Sequence, residues 1–310
     1  METLSNQAPY LSQDAIDRDP SPAAKVARNL ENEAVQTADI NWYGVAFLVI
    51  LPILTLPLAI WTVQTQGFST FALGLMISLW TAGGLAITAG YHRLFAHKTY
   101  QTGSPMKWFS LLFGAMTVQN SALIWASDHR FHHQFQDTDG DPYNINRGFY
   151  WAHFGWMMKK NKEDRTYANS LDLKKDAAVM FQHNYYAWVM PLMNFGLPTL
   201  IGALAGRAWE GFLWGGLVRM TFFHHCTFLV NSAAHYFGKK THSQVNTARD
   251  SLWVSILTFG EGYHSFHHAY PADHRIGHRW HHYDPGKWLI RSLRFLGMAQ
   301  DLKVNPKAPA

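Results

Sequence analysis

Between Ile40 and His92 the chain carries no Asp, Glu, Lys or Arg, a stretch of 53 residues in a protein whose charged fraction is 15%. At that fraction about eight charges would fall there by chance, and soluble domains usually carry nearer a quarter. One helix of that length would run about 80 Å, far beyond the ~30 Å hydrocarbon core of a bilayer. Two crossings joined by a tight turn around Gln64–Ser69 fit, and a soluble fold does not. Pro52 and Pro57 agree with this, because neighbouring helices re-satisfy the backbone groups that proline frees inside a membrane.

Ala177–Gly206 is a second charge-free run. A further apolar segment over 211–235 opens with Trp209 and Trp214 as interface aromatics. Arg219 interrupts it sixteen residues before His235, so it is expected to snorkel towards the opposite face. Trp108–Ala126 is also apolar but is read as an interfacial or protein-buried helix. A span there would put the histidines near 92–97 and 129–133 on opposite sides, and Gln119, Asn120 and Ser121 sit in its middle. Four spans are therefore predicted, near 42–63, 70–91, 177–206 and 211–235. Eleven basic residues lie from Arg93 to Lys175 and ten follow the last span, against only Arg207 between spans three and four. The positive-inside tendency places both termini and every histidine group in the cytosol.

The fold class that follows is an all-α membrane protein, with four transmembrane helices and a cytosolic histidine-rich helical cap. Residues 1–39 read as a polar, mostly disordered arm without the features of a signal peptide. Residues 40–290 form the membrane domain and 291–310 a cytosolic tail. The single cysteine, Cys226, rules out an internal disulfide and a CxxC zinc or thioredoxin-like site, and argues against a cysteine-held iron–sulfur cluster.

Histidine is the outlier, at 18 residues. His92 and His97 end span two; five apart, they reach one metal only if the helix bends or ends there. His129, His132 and His133 stand at i, i+3 and i+4 on one helix face, and His264, His267 and His268 repeat that spacing. Asn231 and His235 share a face at the end of span four. Nine imidazoles gathered at one membrane face can serve two metal ions, and imidazole suits zinc, copper, iron or nickel. Asp128 is placed to orient a ligand through its other ring nitrogen, and Asn231 to hold a metal-bound water. His278, His281 and His282 carry the same i, i+3, i+4 spacing and are not separable by pattern alone. His224 and His225 lie within span four; His153, His183 and His242 are isolated and read as structural or exposed.

The order HRLFAH, DHRFHH, NSAAH, GYHSFHH resembles the integral-membrane fatty acid desaturases of the delta-9 acyl-CoA (stearoyl-CoA) type. The flanks TAGYHRLFAH, DHRFHHQFQDTDGDPYN, RGFYWAHFGWM and EGYHSFHHAYPADHR extend the similarity over roughly 40–290. The resemblance implies a four-span fold with a cytosolic cap holding two iron ions. One iron would take His92, His97, His129, His133 and His267. The other would take His132, His235, His264 and His268, with Asn231 reaching it through water. The family's tail lacks the histidines of HRWHH, so His278, His281 and His282 are left out of the site.

For the acyl substrate the resemblance implies contacts at Asn120, Trp125 and Asp128, with Lys159 and Lys160 as phosphate partners. Two positions depart from the animal members: Ser127 stands where they have Arg, and Phe228 where they have Trp. Acyl-CoA, acyl-lipid and acyl-carrier-protein substrates therefore all stay open. Trp80 and Gly84, twelve and eight positions before His92, are expected to stop the acyl tail and to leave room for it.

The implied reaction is O2-dependent insertion of a cis double bond into a saturated chain. No GxGxxG fingerprint, haem domain or cysteine cluster is present, so a separate haem protein or ferredoxin-like donor, with its NAD(P)H reductase, must supply electrons. The bilayer is the other expected partner, as a bacterial inner membrane or endoplasmic reticulum, and no nucleic acid is. A membrane hydroxylase of fatty acids or alkanes is the alternative of the same chemistry. A histidine-rich metal transporter is the alternative from another class, and it needs histidines along a path through the spans. HExxH is absent, against a zinc protease. Glu261 with His264 is the one ExxH pair, against the soluble di-iron carboxylate enzymes.

Overall fold

The computed structural model describes residues 39–159 and 166–308. The expected disordered arm, apart from Asp39, and Lys160 lie outside the described residues. Among these, three helices are long and apolar enough to cross a membrane: α1 (Trp42–Gln66), α2 (Thr70–Ala96) and, later in the chain, α6 (Tyr186–Leu204). α1 and α6 leave large apolar side chains uncovered, among them Ile53, Leu54, Leu56, Trp188, Leu192 and Leu204. Water would oppose such a surface, and lipid tails suit it. α2 is the most enclosed of the three, because its small residues let neighbours come close. A Cβ on Gly84 would stand 2.1 Å from the Phe259 ring and one on Gly90 2.4 Å from Ser110.

The apolar stretch after α2 is not one rod. It forms α3 (Ser104–Ala115) and α4 (Ala122–Phe135), separated by a turn in which Val118 and Asn120 take left-handed backbone conformations. Ser121 caps α4, its hydroxyl accepting from Ile124 N at 3.4 Å. The charge-free run from 177 divides as well. α5 (Ala177–Asn184) stops before α6 begins, which corrects the expected single span over 177–206. The cause is its polar end. Gln182 accepts from Ala122 N (2.9 Å) and donates to Leu111 O (2.9 Å), and His183 pairs with the hydroxyl of Ser121 (2.7 Å). These bonds draw α5 onto the junction of α3 and α4.

α7 runs from Gly211–Val218 directly into Arg219–Asn231, the first part wound as a π-helix. Arg219 does not snorkel. It is fully buried, donating to Gly215 O (2.7 Å), Met116 O (3.2 Å) and the side-chain oxygen of Asn194. Carbonyl groups of its own helix and of two neighbouring segments replace the water it would otherwise reach, which is how a cation is tolerated at depth.

Among the later elements are α8 (His264–Ala269) and α9 (Pro285–Phe295). A two-residue antiparallel pair joins β1 (Gln101–Thr102) to β2 (Ala299–Gln300). Asp284 caps α9, accepting from Lys287 N at 2.9 Å, and its carboxylate also meets the buried Arg93 of α2 at 2.7 Å. Lys303 N donates to Thr99 O at 2.8 Å. The segment from β2 to Lys303 is therefore packed on the body, and the expected boundary at 290 falls inside α9.

Candidate metal centre

The last eleven residues of α2, Ala86–Ala96, wind as a π-helix, and His97 N bonds His92 O at 3.0 Å. Closing i to i+5 instead of i to i+4 sets residues five apart above one another. The His92 and His97 rings thereby come within 4.8 Å. Arg130 of α4 fixes this end in place, donating to Phe95 O (2.7 Å) and Ala96 O (2.9 Å) while its guanidinium meets Asp172 (2.7 Å).

α4 and α8 each present three imidazoles on one face, and each divides them. His129 and His133 join His92, His97 and His267 in one group, and His132 joins His235, His264 and His268 in the other. Within each group the available ligand atoms all lie within 4.8 Å of one another. Nε2 of His97 stands 2.8 Å from that of His129, His133 2.9 Å from His267, and His92 3.0 Å from His267. In the second group the Nε2 separations are 2.9 Å for His264–His268 and 3.3 Å for His132–His268. His235 arrives on the short helix Ala233–Tyr236 after a break at Ser232, and its Nε2 is buried without a hydrogen-bond partner.

Hydrogen bonding does not account for this convergence, since one proton cannot satisfy several facing nitrogens. Two nitrogens at about 2.1 Å from a shared first-row ion stand roughly 3 Å apart, which matches the observed spacings. The protonation states agree. Burial, and then the repulsion of neighbouring imidazoles, holds His97, His129, His133, His264, His267 and His268 well below the usual histidine range. These rings are neutral and offer lone pairs.

The outer nitrogens are held by residues that the spacing of the motifs does not reveal. His92 Nδ1 meets Glu261 Oε2 at 2.8 Å, and Glu261 also accepts from the hydroxyl of Thr88. His132 Nδ1 meets Asp141 at 2.9 Å, with Asp141 steadied by the backbone N–H groups of Asp137 and Tyr143 (both 3.1 Å). His235 Nδ1 meets the Thr247 hydroxyl at 2.7 Å, and that hydroxyl donates to Asp137 at 2.5 Å. Thr247 must then accept from His235, leaving Nε2 with a lone pair free to bind a metal. A carboxylate on Nδ1 fixes the tautomer in the same way. Glu261 stood in view three residues before His264; Asp141 and Thr247 reach their partners only through the fold.

A cavity of about 340 Å³ opens beside the two groups, lined by His92, His129, His132 and His264 at one side. Asn120, Trp125, Asp128, Phe228, Asn231 and Gly84 line it too. Trp125 stacks on His129 with ring centroids 4.9 Å apart. Trp80 is not among its lining residues. The wall at that place is Phe259, which lies in van der Waals reach of Gly84 and packs on Trp80 at 4.6 Å. Phe259 takes a left-handed backbone conformation two residues before Glu261, so one strained turn carries both the cavity wall and the carboxylate behind His92. Lys159 pairs its backbone with Ile40, beside the Trp156 and Met157 that line the cavity.

His278, His281 and His282 join neither group. His224 lines the cavity but is spent on a bond to Thr117 O at 2.9 Å. His153 pairs with Ser232 (2.8 Å) and His225 (3.2 Å).

Long apolar helices together with two converging polyhistidine groups define an all-α membrane protein with a site that could hold metal. A family model described as fatty acid desaturase matches residues 66–297. The probable acyl-CoA desaturase of Schizosaccharomyces pombe is 38% identical over 86% of this chain, and the chain spans only 55% of that relative's length. The sn-1 stearoyl-lipid 9-desaturase of Anabaena variabilis is 34% identical over 86% of this chain and 96% of its own. Stearoyl-CoA desaturase 4 of Mus musculus is 35% identical over 86% of this chain and 76% of its own. The chain belongs to the fatty acid desaturase family.

Proposed function

We propose that this protein is an O2-dependent membrane desaturase that places a cis double bond at the delta-9 position of a saturated acyl chain. The observation that carries this reading is the pair of histidine groups, their free nitrogens about 3 Å apart, at the side of a largely apolar cavity. Each group holds one iron: His92, His97, His129, His133 and His267 the first, His132, His235, His264 and His268 the second, with Asn231 contributing through a water.

An unactivated methylene has no acidic proton, so side-chain acid–base chemistry cannot remove its hydrogen. The iron pair supplies the O2-dependent redox chemistry that can. The balance is one saturated chain, one O2, two electrons and two protons giving one double bond and two waters. The protein's own residues do the rest. Glu261, Asp141 and Thr247 keep three of the imidazoles in one tautomer and one orientation. Trp125, Phe223 and Phe259 shape a dry wall against which the chain bends. Asn120 and Asp128 hold the polar end of the substrate. Lys159 and Lys160 meet phosphate groups of its carrier.

In this reading α7 is the fourth crossing, both termini and the metal centre face the cytosol, and a separate one-electron protein with its reductase supplies electrons. The relatives' names divide between acyl-CoA and stearoyl-lipid, so the assay offers both. Mass-spectrometric lipid profiling of cells expressing the protein should show new delta-9 monounsaturated chains, and the purified iron-loaded protein should convert one carrier class. A hydroxylated product would instead mark a hydroxylase. Metal flux without lipid change would mark a transporter, a reading that the side-chain bonds of His224 and His225 do not favour.

A further inference from the structure

One motif is left unused by the metal centre: His278-Arg279-Trp280-His281-His282. It lies on Tyr263, the residue just before α8, and on Phe266 within it. The His282 ring stacks on Tyr263, with centroids 4.1 Å apart and planes 7° from parallel. The His278 ring stacks on Phe266 at 4.6 Å and 20°. Tyr263 is bonded directly to His264, and Phe266 to His267, both members of the histidine groups.

The loop is held there firmly. Asp284 accepts from Ile276 N (3.0 Å) and Gly277 N (2.9 Å), and Lys287 Nζ donates to Arg279 O (2.9 Å). Gly277 permits the close approach, since a Cβ there would stand 2.7 Å from His282 and 3.1 Å from Tyr263. Buried Nδ1 atoms on His278 and His282 find no hydrogen-bond partner, so polar bonding does not explain these two imidazoles. Their stacking does.

The other side of the loop faces out. Trp280 is 87% exposed, and Arg279 and His281 are exposed beside it. Lys239 is exposed on the adjoining segment, which reaches His278 through His242 at 5.0 Å. Of the acids close to the loop, Asp273 meets Arg275 (2.9 Å) and Asp284 meets Arg93 (2.7 Å), while Asp250 accepts from Ser265 N (2.8 Å) and the Thr241 hydroxyl and stands 3.7 Å from His242. A protruding tryptophan next to Arg279, with Lys239 exposed on the adjoining segment, is a hot-spot arrangement for an acidic protein surface. Tyr236, an exposed ring next to His235, sits among Phe149 and Phe237, a surface suited to lipid.

We propose that this loop docks an acidic one-electron carrier protein, and that the His282–Tyr263 stack conducts its electrons to the metal centre. The inference rests on the desaturase reading, which requires two electrons per double bond. Each delivery oxidises one reduced carrier by one electron and reduces the centre by one. The rings themselves are unchanged, because tunnelling needs only close coupling, and a parallel stack followed by a covalent link provides it.

The test uses the full-length, iron-loaded protein in lipid nanodiscs, without acyl substrate. An acidic [2Fe–2S] ferredoxin and an acidic soluble b-type cytochrome domain serve as pre-reduced probes. Arg279→Glu should weaken carrier binding about tenfold and flatten its salt dependence. His282→Leu should keep the wild-type affinity and iron content but slow carrier reoxidation in stopped flow, and His282→Phe, which restores a ring, should recover the rate. Reoxidation of His282→Leu at the wild-type rate would overturn the conduction route, as would loss of its iron. Unchanged binding by Arg279→Glu would overturn the docking surface, as would a wild-type protein that both probes fail to reduce. A wild-type protein that forms no double bond even with dithionite would overturn the desaturase reading instead.

Discussion

His264–His268 and His278–His282 carry the same i, i+3, i+4 histidine spacing only fourteen residues apart, and they end in different roles. The first lies on α8, which aims three imidazoles to one side. The second lies in irregular chain between Gly277 and Asp284, where the spacing no longer defines a face. His278 and His282 turn towards Phe266 and Tyr263. Spacing signals a metal site only where the backbone converts it into direction, and Gly277 with the Asp284-Pro285 cap denies the second motif its helix.

The contrast breaks most easily at the ligands. His268→Ala, or His132→Ala, should abolish desaturation and remove iron from its group, read by metal analysis of purified protein; full iron retention would sever the link between convergence and binding. The outer partners sharpen it next. Glu261→Gln keeps the size but weakens the hold on His92, and should lower activity or metal affinity about 10–100-fold; Asp141→Asn should do the same through His132.

Phe259→Ala asks whether the turn that carries Glu261 also sets chain length. Emptying that wall should shift the preferred substrate towards longer chains in a mixed acyl competition, and destabilise the fold by about 3 kcal/mol in thermal unfolding. Gly84→Leu should shorten the preference by driving into Phe259, with a comparable loss of stability. The smallest effect belongs to the second motif. His281→Ala should leave iron content unchanged and stability within about 0.5 kcal/mol. Loss of iron there would mean that the two motifs are not different after all.

The local half of this architecture is readable from the sequence. The charge-free run gives α1 and α2, and the five-residue interval demands that α2 bend or end at His97; the apolar stretch over 108–126, read as one helix, instead breaks at its polar middle into α3 and α4. The grouping of the nine histidines is carried by the resemblance, and the geometry assembles the same two sets. What escapes is set by partners distant in sequence. Gln182 stops α5 only because Leu111 and Ala122 receive it. Arg219 stays buried only because Met116 and Asn194 offer it oxygen. Phe259 takes the cavity wall ahead of Trp80 because Gly84 lets its ring advance. None of these has a periodicity to read.

Arg219 also bears on how the protein is made. A guanidinium at depth costs a lone helix about 2.5–3.5 kcal/mol on insertion scales, and the oxygens that offset this come largely from Met116 and Asn194. On the proposed topology, the segment 211–231 is therefore a poor insertion signal by itself. Its arrival in the bilayer is tied to earlier segments already waiting there, so biogenesis proceeds in an order that the finished fold conceals. A nascent chain truncated before the α3–α4 turn and rejoined at 211 would lack the receiving groups, and its last helix would stay outside the membrane.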